Sequence, residues 1–338
     1  RPVKLVLLAG VIAMLLSIAA GPAFIAFVRR HALGQQIREE GPAGHMSKQG
    51  TPTMGGLILL ACALVTFAVL TKRTTPGLTV AGVTIACAAI GFVDDWFKLA
   101  NRRSLGLSGR WKMLALLGVT AALGYVAHRQ HLSTDVYLPL LDLRVNLGPA
   151  YYVLLFLVVA GGANAVNLTD GLDGLAAGTV TIAMLTYTAM MVVAFLSPGG
   201  LTAEGAASRI DLAIMGAAIV GGCVGFLWYN AYPADVFMGD TGSFGLGGAL
   251  AAMAVFTKTE FLLVIIGGVF VLEALSVAIQ VIGFKVSRKR VFLMAPIHHH
   301  FEMLEWTENK IIVRFWILAS ICGASGFVLY YLAYSQFR

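Results

Sequence analysis

Long apolar runs separated by short polar turns make up most of the chain. Runs of the kind that cross a bilayer, for which about 20 residues are needed, read at Leu5 to Val28, Gly55 to Leu70, Leu78 to Val93, Met113 to Ala127, Ala150 to Val166, Leu175 to Leu196, Leu212 to Trp228, Ser243 to Phe256, Phe261 to Phe284 and Ile311 to Tyr334. The pattern predicts an all-α polytopic membrane protein with ten transmembrane helices, several of them short, in a single domain over residues 1–338. The glycine-containing runs from Ala150 and Ser243 also fit half-spans or helices that line a cavity. Arg1 and Lys4 imitate the start of a signal peptide, but the first run is longer than an h-region of about 7 to 15 residues and is read as the first span. Between the fourth and fifth runs, Asp135 to Gly148 alternates in the manner of a small hairpin, and Ser197 to Asp211 reads as an exposed connector.

Composition agrees with this reading. A chain of 338 residues that is 58% hydrophobic and 12% charged, with a mean hydropathy of +0.82, lies outside the range of a soluble globular domain. Ten spans place both termini on one side and every loop after an odd-numbered span on the other. Those odd loops and their edges carry most of the 24 lysines and arginines, among them Arg29, Lys48, Lys98, Lys112, Lys285 and Lys310. The positive-inside rule then makes the odd loops cytoplasmic and both termini and the hairpin periplasmic. Cys62, Cys87, Cys223 and Cys322 lie within apolar runs without CxxC spacing, which favours packing over disulfide or metal.

Against this background the acids stand out. An Asp at the centre of a span costs roughly 2.5–3.5 kcal/mol on insertion scales, so acids at span ends are best tolerated where they meet water, a cation or a ligand. Asp94 and Asp95 in GFVDDWFK, Asp170 and Asp173 in NLTDGLDG, and Asp240 in VFMGDTGS all fall in odd-side breaks. Adjacent helical residues point about 100° apart, so Asp94 and Asp95 are not expected to clamp one ion together and should hold different jobs. The bland alternative is a cytoplasmic helix end neutralised by Lys98, Arg102 and Arg103. Asp170 and Asp173 sit in a glycine turn before a new helix. Glycines there let backbone approach a ligand closely and a helix N-terminus favours phosphate, but a helix cap is the better reading for one of the two. Asp240, between Gly239 and Gly242 and beside Thr241 and Ser243, suits a hard cation such as Mg2+, with capping again as the alternative. Asp235 is expected to face solvent. His298, His299 and His300 are consecutive and cannot all turn to one ion, so donation to phosphate or sugar is the better reading. Glu273, within the ninth run, is expected to find a partner inside the bundle.

Taken together, SKQGTPTMGG, GFVDDWFK, the Gly162–Ala176 segment, VFMGDTGS and APIHHHFE resemble the phospho-N-acetylmuramoyl-pentapeptide transferases (MraY) of the polyprenyl-phosphate N-acetylhexosamine-1-phosphate transferase superfamily, over nearly the whole chain. The resemblance implies an enzyme of the bacterial cytoplasmic membrane, with its cleft facing the cytoplasm. Its implied reaction moves phospho-MurNAc-pentapeptide from UDP-MurNAc-pentapeptide to undecaprenyl phosphate, giving lipid I and UMP with Mg2+. It also implies a homodimer in contact with membrane lipids, and no nucleic-acid partner. Residue by residue, it makes Asp240 the Mg2+ ligand, Asp94 the group that activates the lipid phosphate as base or nucleophile, and Asp95 a support for metal or phosphate. Gly171, Leu172, Asp173, Asn230 and Phe237 match a uridine pocket. Lys48, Asn167, Asp170, Ser243, His298, His299 and His300 would meet phosphates and sugar, with Lys98 and Lys112 as further phosphate contacts. The rivals are a sister enzyme that loads another sugar phosphate and a lipid transporter using the acids as an ion relay; the second expects acids spread through the membrane depth and repeat symmetry.

Overall fold

The computed structural model describes residues 2–30, 50–101, 106–197 and 202–336. Their elements are α1 (Pro2–Arg30), α2 (Gly56–Leu70), α3 (Thr75–Ala100), α4 (Gly109–Arg129), β1 (Asp135–Leu138), β2 (Leu143–Asn146), α5 (Ala150–Thr169), α6 (Leu175–Leu196), α7 (Ala203–Asn230), α8 (Gly239–Phe256), α9 (Leu262–Ile266), α10 (Gly268–Ser287), α11 (Ile297–Met303) and α12 (Glu308–Gln336). Eight of these helices are long and apolar enough to cross a membrane, and α2 is a shorter apolar helix. Each predicted run coincides with one helix, except the ninth, which breaks at Gly267 into α9 and α10. There the Gly267 N–H bonds back to the Leu263 carbonyl at 2.7 Å and closes α9, and the same residue opens α10. The hairpin forms where alternation predicted it, with Asp135 opposite Asn146 and Leu138 opposite Leu143.

The bundle is organised around α8, whose residues from Asp240 to Val255 are all buried. Its small side chains let neighbouring backbones come close, as expected for packing inside a membrane. Gly248 abuts Cys87 of α3, and Gly247 abuts Gly162 of α5. Towards the start of α8, Asp240 abuts Gly91 and Gly242 abuts Gly56 of α2. With the Asn167–Asp240 hydrogen bond and the Gly245–Leu60 contact, these pairs make α3 and α5 antiparallel to α8 and α2 parallel to it. The C-terminal ends of α3 and α5 therefore meet the N-terminal ends of α2 and α8 at one end of the bundle. That is where GFVDDWFK, NLTDGLDG and VFMGDTGS lie.

The opposite end is tied by other polar groups. Lys258, just after α8, donates to the Ser133 carbonyl at 2.9 Å and to Glu260 at 3.1 Å, linking the segment before the hairpin to the bundle. Asp211 of α7 is wholly buried and organises the α2–α3 turn. It accepts from the Thr71 hydroxyl, from the Thr74 N–H and hydroxyl, each at 2.9 Å, and from the Lys72 N–H. Removing that carboxylate leaves four donors of a part-buried turn without their acceptor, at about 1–3 kcal/mol for each that water does not reach. Asp211→Ala is accordingly expected to lower stability by roughly 3 kcal/mol, read as a fall in Tm of the detergent-solubilised protein. A change too small to resolve would mean that water replaces the carboxylate at this turn.

Candidate active site

Three carboxylates from two helices converge where α3 ends and α8 begins. Asp94 is 0% exposed, Asp95 3% and Asp240 9%. One oxygen from each lies within 4.8 Å of the other two. The adjacent pair therefore does bring oxygens to one place, contrary to the expectation from helix geometry alone, and a third acid from another helix joins them.

The neighbours do not divide their work equally. Asp95 accepts from the Asp240 N–H at 3.0 Å, the Thr241 N–H at 2.9 Å and the Thr241 hydroxyl at 2.7 Å. It caps the N-terminus of α8 from another helix, satisfying donors that a helix start leaves free. A cap was one reading of Asp240 in the sequence; the cap exists, but Asp95 supplies it. Gly239, at φ +75°, makes the turn into α8, and a methyl group there would lie 2.8 Å from an Asp95 oxygen.

Asp94 and Asp240 face two ammonium groups. Lys98 Nζ is 2.7 Å from Asp94 Oδ2, 3.0 Å from Asp240 Oδ1 and 4.0 Å from Asp95 Oδ1. Lys112 Nζ, from the first turn of α4, is 3.1 Å from Asp94 Oδ1 and 2.8 Å from Asp240 Oδ2. The Leu107 N–H donates to Asp94 Oδ1 at 2.6 Å. Asn167, at the end of α5, donates to Asp240 Oδ1 at 3.0 Å and to the Ser243 hydroxyl at 2.9 Å. Burial raises the Asp170 carboxyl, just past α5, to about 8; Asp240 adds to the effect and Lys98 opposes it. The acids thus form one electrostatic unit of hard oxygen donors and cations. Such a set could hold a metal ion.

The positions that the resemblance assigns to a uridine pocket are largely engaged in holding loops. Asn230 accepts from the Gly174 N–H at 3.0 Å and donates to the Val236 carbonyl at 2.9 Å. An Asp173 oxygen accepts from the Ala234 N–H, and the Asp173 N–H donates to Glu308, both at 3.0 Å. Neither Asp170 nor Asp173 caps α6, which starts after Gly174 without a side-chain cap. Leu172 is buried among Leu175, Val269 and Ile311, and the Phe237 backbone pairs with Pro52 and Gly55.

The three histidines take separate polar partners, although the His298 and His299 rings stay in contact with centroids 4.1 Å apart. His298 Nδ1 meets Glu273 of α10 at 3.0 Å, both side chains fully buried. His299 pairs with Glu302, and His300 Nδ1 accepts from the Leu293 N–H at 3.2 Å. The Nε2 of His298 points at Gly171, where a methyl group would lie 2.2 Å away. Glu273 was legible only as an intramembrane acid; nothing in the spacing named His298 as its partner. Glu308 and the Leu107 N–H gave no signal at all. Lys48 lies outside the described residues. Asp235 is exposed and 3.6 Å from Arg29.

Comparison with known proteins adds the family. Residues 77–258 match the model of glycosyl transferase family 4, and residues 48–60 match phospho-N-acetylmuramoyl-pentapeptide-transferase signature 1. A phospho-N-acetylmuramoyl-pentapeptide-transferase of Rubrobacter xylanophilus is 48% identical over 337 residues, covering 96% of this chain and 97% of the relative. The chain belongs to the phospho-N-acetylmuramoyl-pentapeptide-transferase family. Relatives of the same name from Geobacillus sp. (strain WCH70), at 44% identity over 96% of this chain and 97% of the relative, and from Bacillus subtilis, at 43% over 92% and 94%, extend the match. The signature covers Lys48, and the longer match covers all five aspartates of the polar breaks.

Within this family setting the Gly171–His298 approach makes a sharp prediction. Gly171→Ala is expected to reduce turnover at least about tenfold, a barrier change of roughly 1.4 kcal/mol, because the added carbon displaces a buried ring. Steady-state kcat measures it, and a value near wild type would show that the ring shifts without consequence.

Proposed function

We propose that this chain, a single transmembrane transferase domain, moves phospho-MurNAc-pentapeptide from UDP-MurNAc-pentapeptide to undecaprenyl phosphate, producing lipid I and UMP. It does so in the bacterial cytoplasmic membrane, as a homodimer with the site facing the cytoplasm. The reading rests on one observation above all: Asp94, Asp240, Lys98, Lys112 and Asn167 meet at one end of a bundle built mainly of apolar helices. The basic composition of the loops after odd spans supports the cytoplasmic orientation.

The chemistry brings one phosphate against another, so catalysis is mainly positioning and charge neutralisation. An oxygen of the lipid phosphate bonds to the sugar-bearing phosphorus, the bond from that phosphorus to the bridging oxygen breaks, and UMP leaves with that oxygen. Asp240, with Asp94 and Asp95 beside it, would hold Mg2+, which supplies Lewis-acid neutralisation of the diphosphate when bound. Asp94 takes the proton of the lipid phosphate in a one-step reaction or attacks phosphorus itself in a two-step one. Asp95 fixes the start of α8 and hence the direction of Asp240. Lys98 and Lys112 donate to phosphate oxygens, with Lys48, Asp170, His299 and His300 toward phosphate and sugar, and Asn167 holds Asp240 and Ser243 in register. Gly171, Leu172, Asp173, Asn230 and Phe237 form the uridine side, bounded by His298.

The test is an assay of purified protein with undecaprenyl phosphate and either UDP-MurNAc-pentapeptide or UDP-N-acetylglucosamine. UMP release is expected with the first donor and not the second. Equal use of both would replace this reading with that of a sister enzyme for another sugar phosphate.

A further inference from the structure

Every carboxylate oxygen at the junction of α3 and α8 faces a hydrogen-bond donor or an ammonium group. Both Asp95 oxygens receive the first donors of α8. The remaining four, on Asp94 and Asp240, are shared in pairs: Lys98 spans Asp94 Oδ2 and Asp240 Oδ1, and Lys112 spans Asp94 Oδ1 and Asp240 Oδ2. A divalent cation bound by the same oxygens has to compete with both ammonium groups for them. Three carboxylates and two ammoniums leave the cluster at a net formal charge of −1; adding a divalent ion while both lysines stay would reverse its sign.

Both lysines are more exposed than the acids they pair with. Lys98 occupies the last turn of α3 and Lys112 the first turn of α4, with side chains 31% and 17% exposed. Each carries a compact charge on a flexible four-carbon stem. Asp94, fully buried and held by the Leu107 N–H, stays in place.

We propose that Lys98 and Lys112 are exchangeable counter-ions, displaced from Asp94 and Asp240 when the divalent cation enters and then available to the phosphate groups of the substrates. This rests on the metal reading given above and adds a coupling to it. Each ammonium group weakens cation binding while no phosphate is present, and a bound diphosphate relieves that competition. Cation and diphosphate therefore bind cooperatively, and by linkage each strengthens the other by the same factor.

The experiment measures binding of Mn2+, a visible substitute for Mg2+, to the full chain in detergent, by the loss of the free-ion EPR signal. With the ion alone, Lys98→Met and Lys112→Met should each bind Mn2+ about tenfold more tightly than wild type, equivalent to roughly 1.4 kcal/mol. Lys98→Arg, which keeps the charge, should not. In wild-type protein, saturating UDP, corrected for its own complex with the ion, should raise Mn2+ affinity by a similar factor, and the methionine variants should lose most of that gain. A second readout needs no variant: Mn2+ should increase labelling of Lys98 and Lys112 by a water-soluble acylating reagent, quantified by mass spectrometry. Unchanged or weaker Mn2+ binding in both methionine variants, or labelling that Mn2+ leaves unchanged or suppresses, overturns the exchange. An Asp240→Ala arm separates the two levels of argument. If that variant binds Mn2+ as wild type does, the metal reading itself fails; if it loses the ion while the lysine variants do not tighten, only the exchange fails.

Discussion

Asp240→Ala is expected to abolish transfer and, with it, the dependence of the rate on Mg2+. Asp240 is the acid on which Lys98, Lys112 and Asn167 all converge, and its own N–H is held by Asp95. Without its carboxylate, two ammonium groups and an amide lose their common acceptor. The like charges of two phosphates are then brought together in a site of reduced dielectric without the metal that offsets them. Asp240→Asn should be nearly as inactive, since it keeps the shape and removes the charge. Steady-state transfer over a Mg2+ series measures this. Retention of more than about a tenth of wild-type turnover, a barrier change under ~1.4 kcal/mol, would place the metal elsewhere.

The second large effect separates the neighbours in GFVDDWFK. Asp94→Asn is expected to lower kcat strongly with binding of the UDP substrate nearly intact, because the lost interaction belongs to the transition state. Asp95→Asn should act differently. Its side chain receives two backbone N–H groups and a hydroxyl at the start of α8, so an amide there weakens the cap and misplaces Asp240. The expected signs are weaker Mg2+ dependence and a lower Tm, with stability lost by about 1–2 kcal/mol. Kinetics against both substrates, direct binding of the UDP substrate and thermal unfolding together decide the point. Equal losses of kcat and of Mg2+ affinity in the two variants would remove the division of labour, and full activity in Asp94→Asn would remove that residue from the mechanism.

Where charge interrupts hydrocarbon, much of this arrangement could be read from residues alone. Each predicted apolar run is helical, and the alternating run from Asp135 forms a hairpin. The acids of the three polar breaks gather at one end of the bundle, as loops following odd spans must. Other features were not legible, because they depend on how helices slide past one another. The capping of α8 by Asp95 needs α3 and α8 in one particular antiparallel register, which no local pattern specifies. The pairing of Glu273 with His298 spans the break at Gly267 and the loop before α11, a helix that apolar periodicity does not reveal. In NLTDGLDG no local pattern shows that Asp173 leaves α6 uncapped and accepts instead from the Ala234 N–H of a distant loop. The three histidines could be denied a common ion from their adjacency, but their separate partners could not be foreseen.

The burial of α8 also bears on how that helix is held in the membrane. This helix begins with an acid, is rich in glycine, and is not among the helices long and apolar enough to cross a membrane by themselves. It presents almost nothing to lipid: its small side chains fit other helices, and its free N-terminal donors are satisfied by a residue of α3. A segment of that composition gains little from partitioning into hydrocarbon alone. Its stable place in the bilayer should therefore depend on α3 and α5, which precede it in the chain and pack directly against it, so that the helix carrying Asp240 is held in the membrane by other helices rather than by lipid.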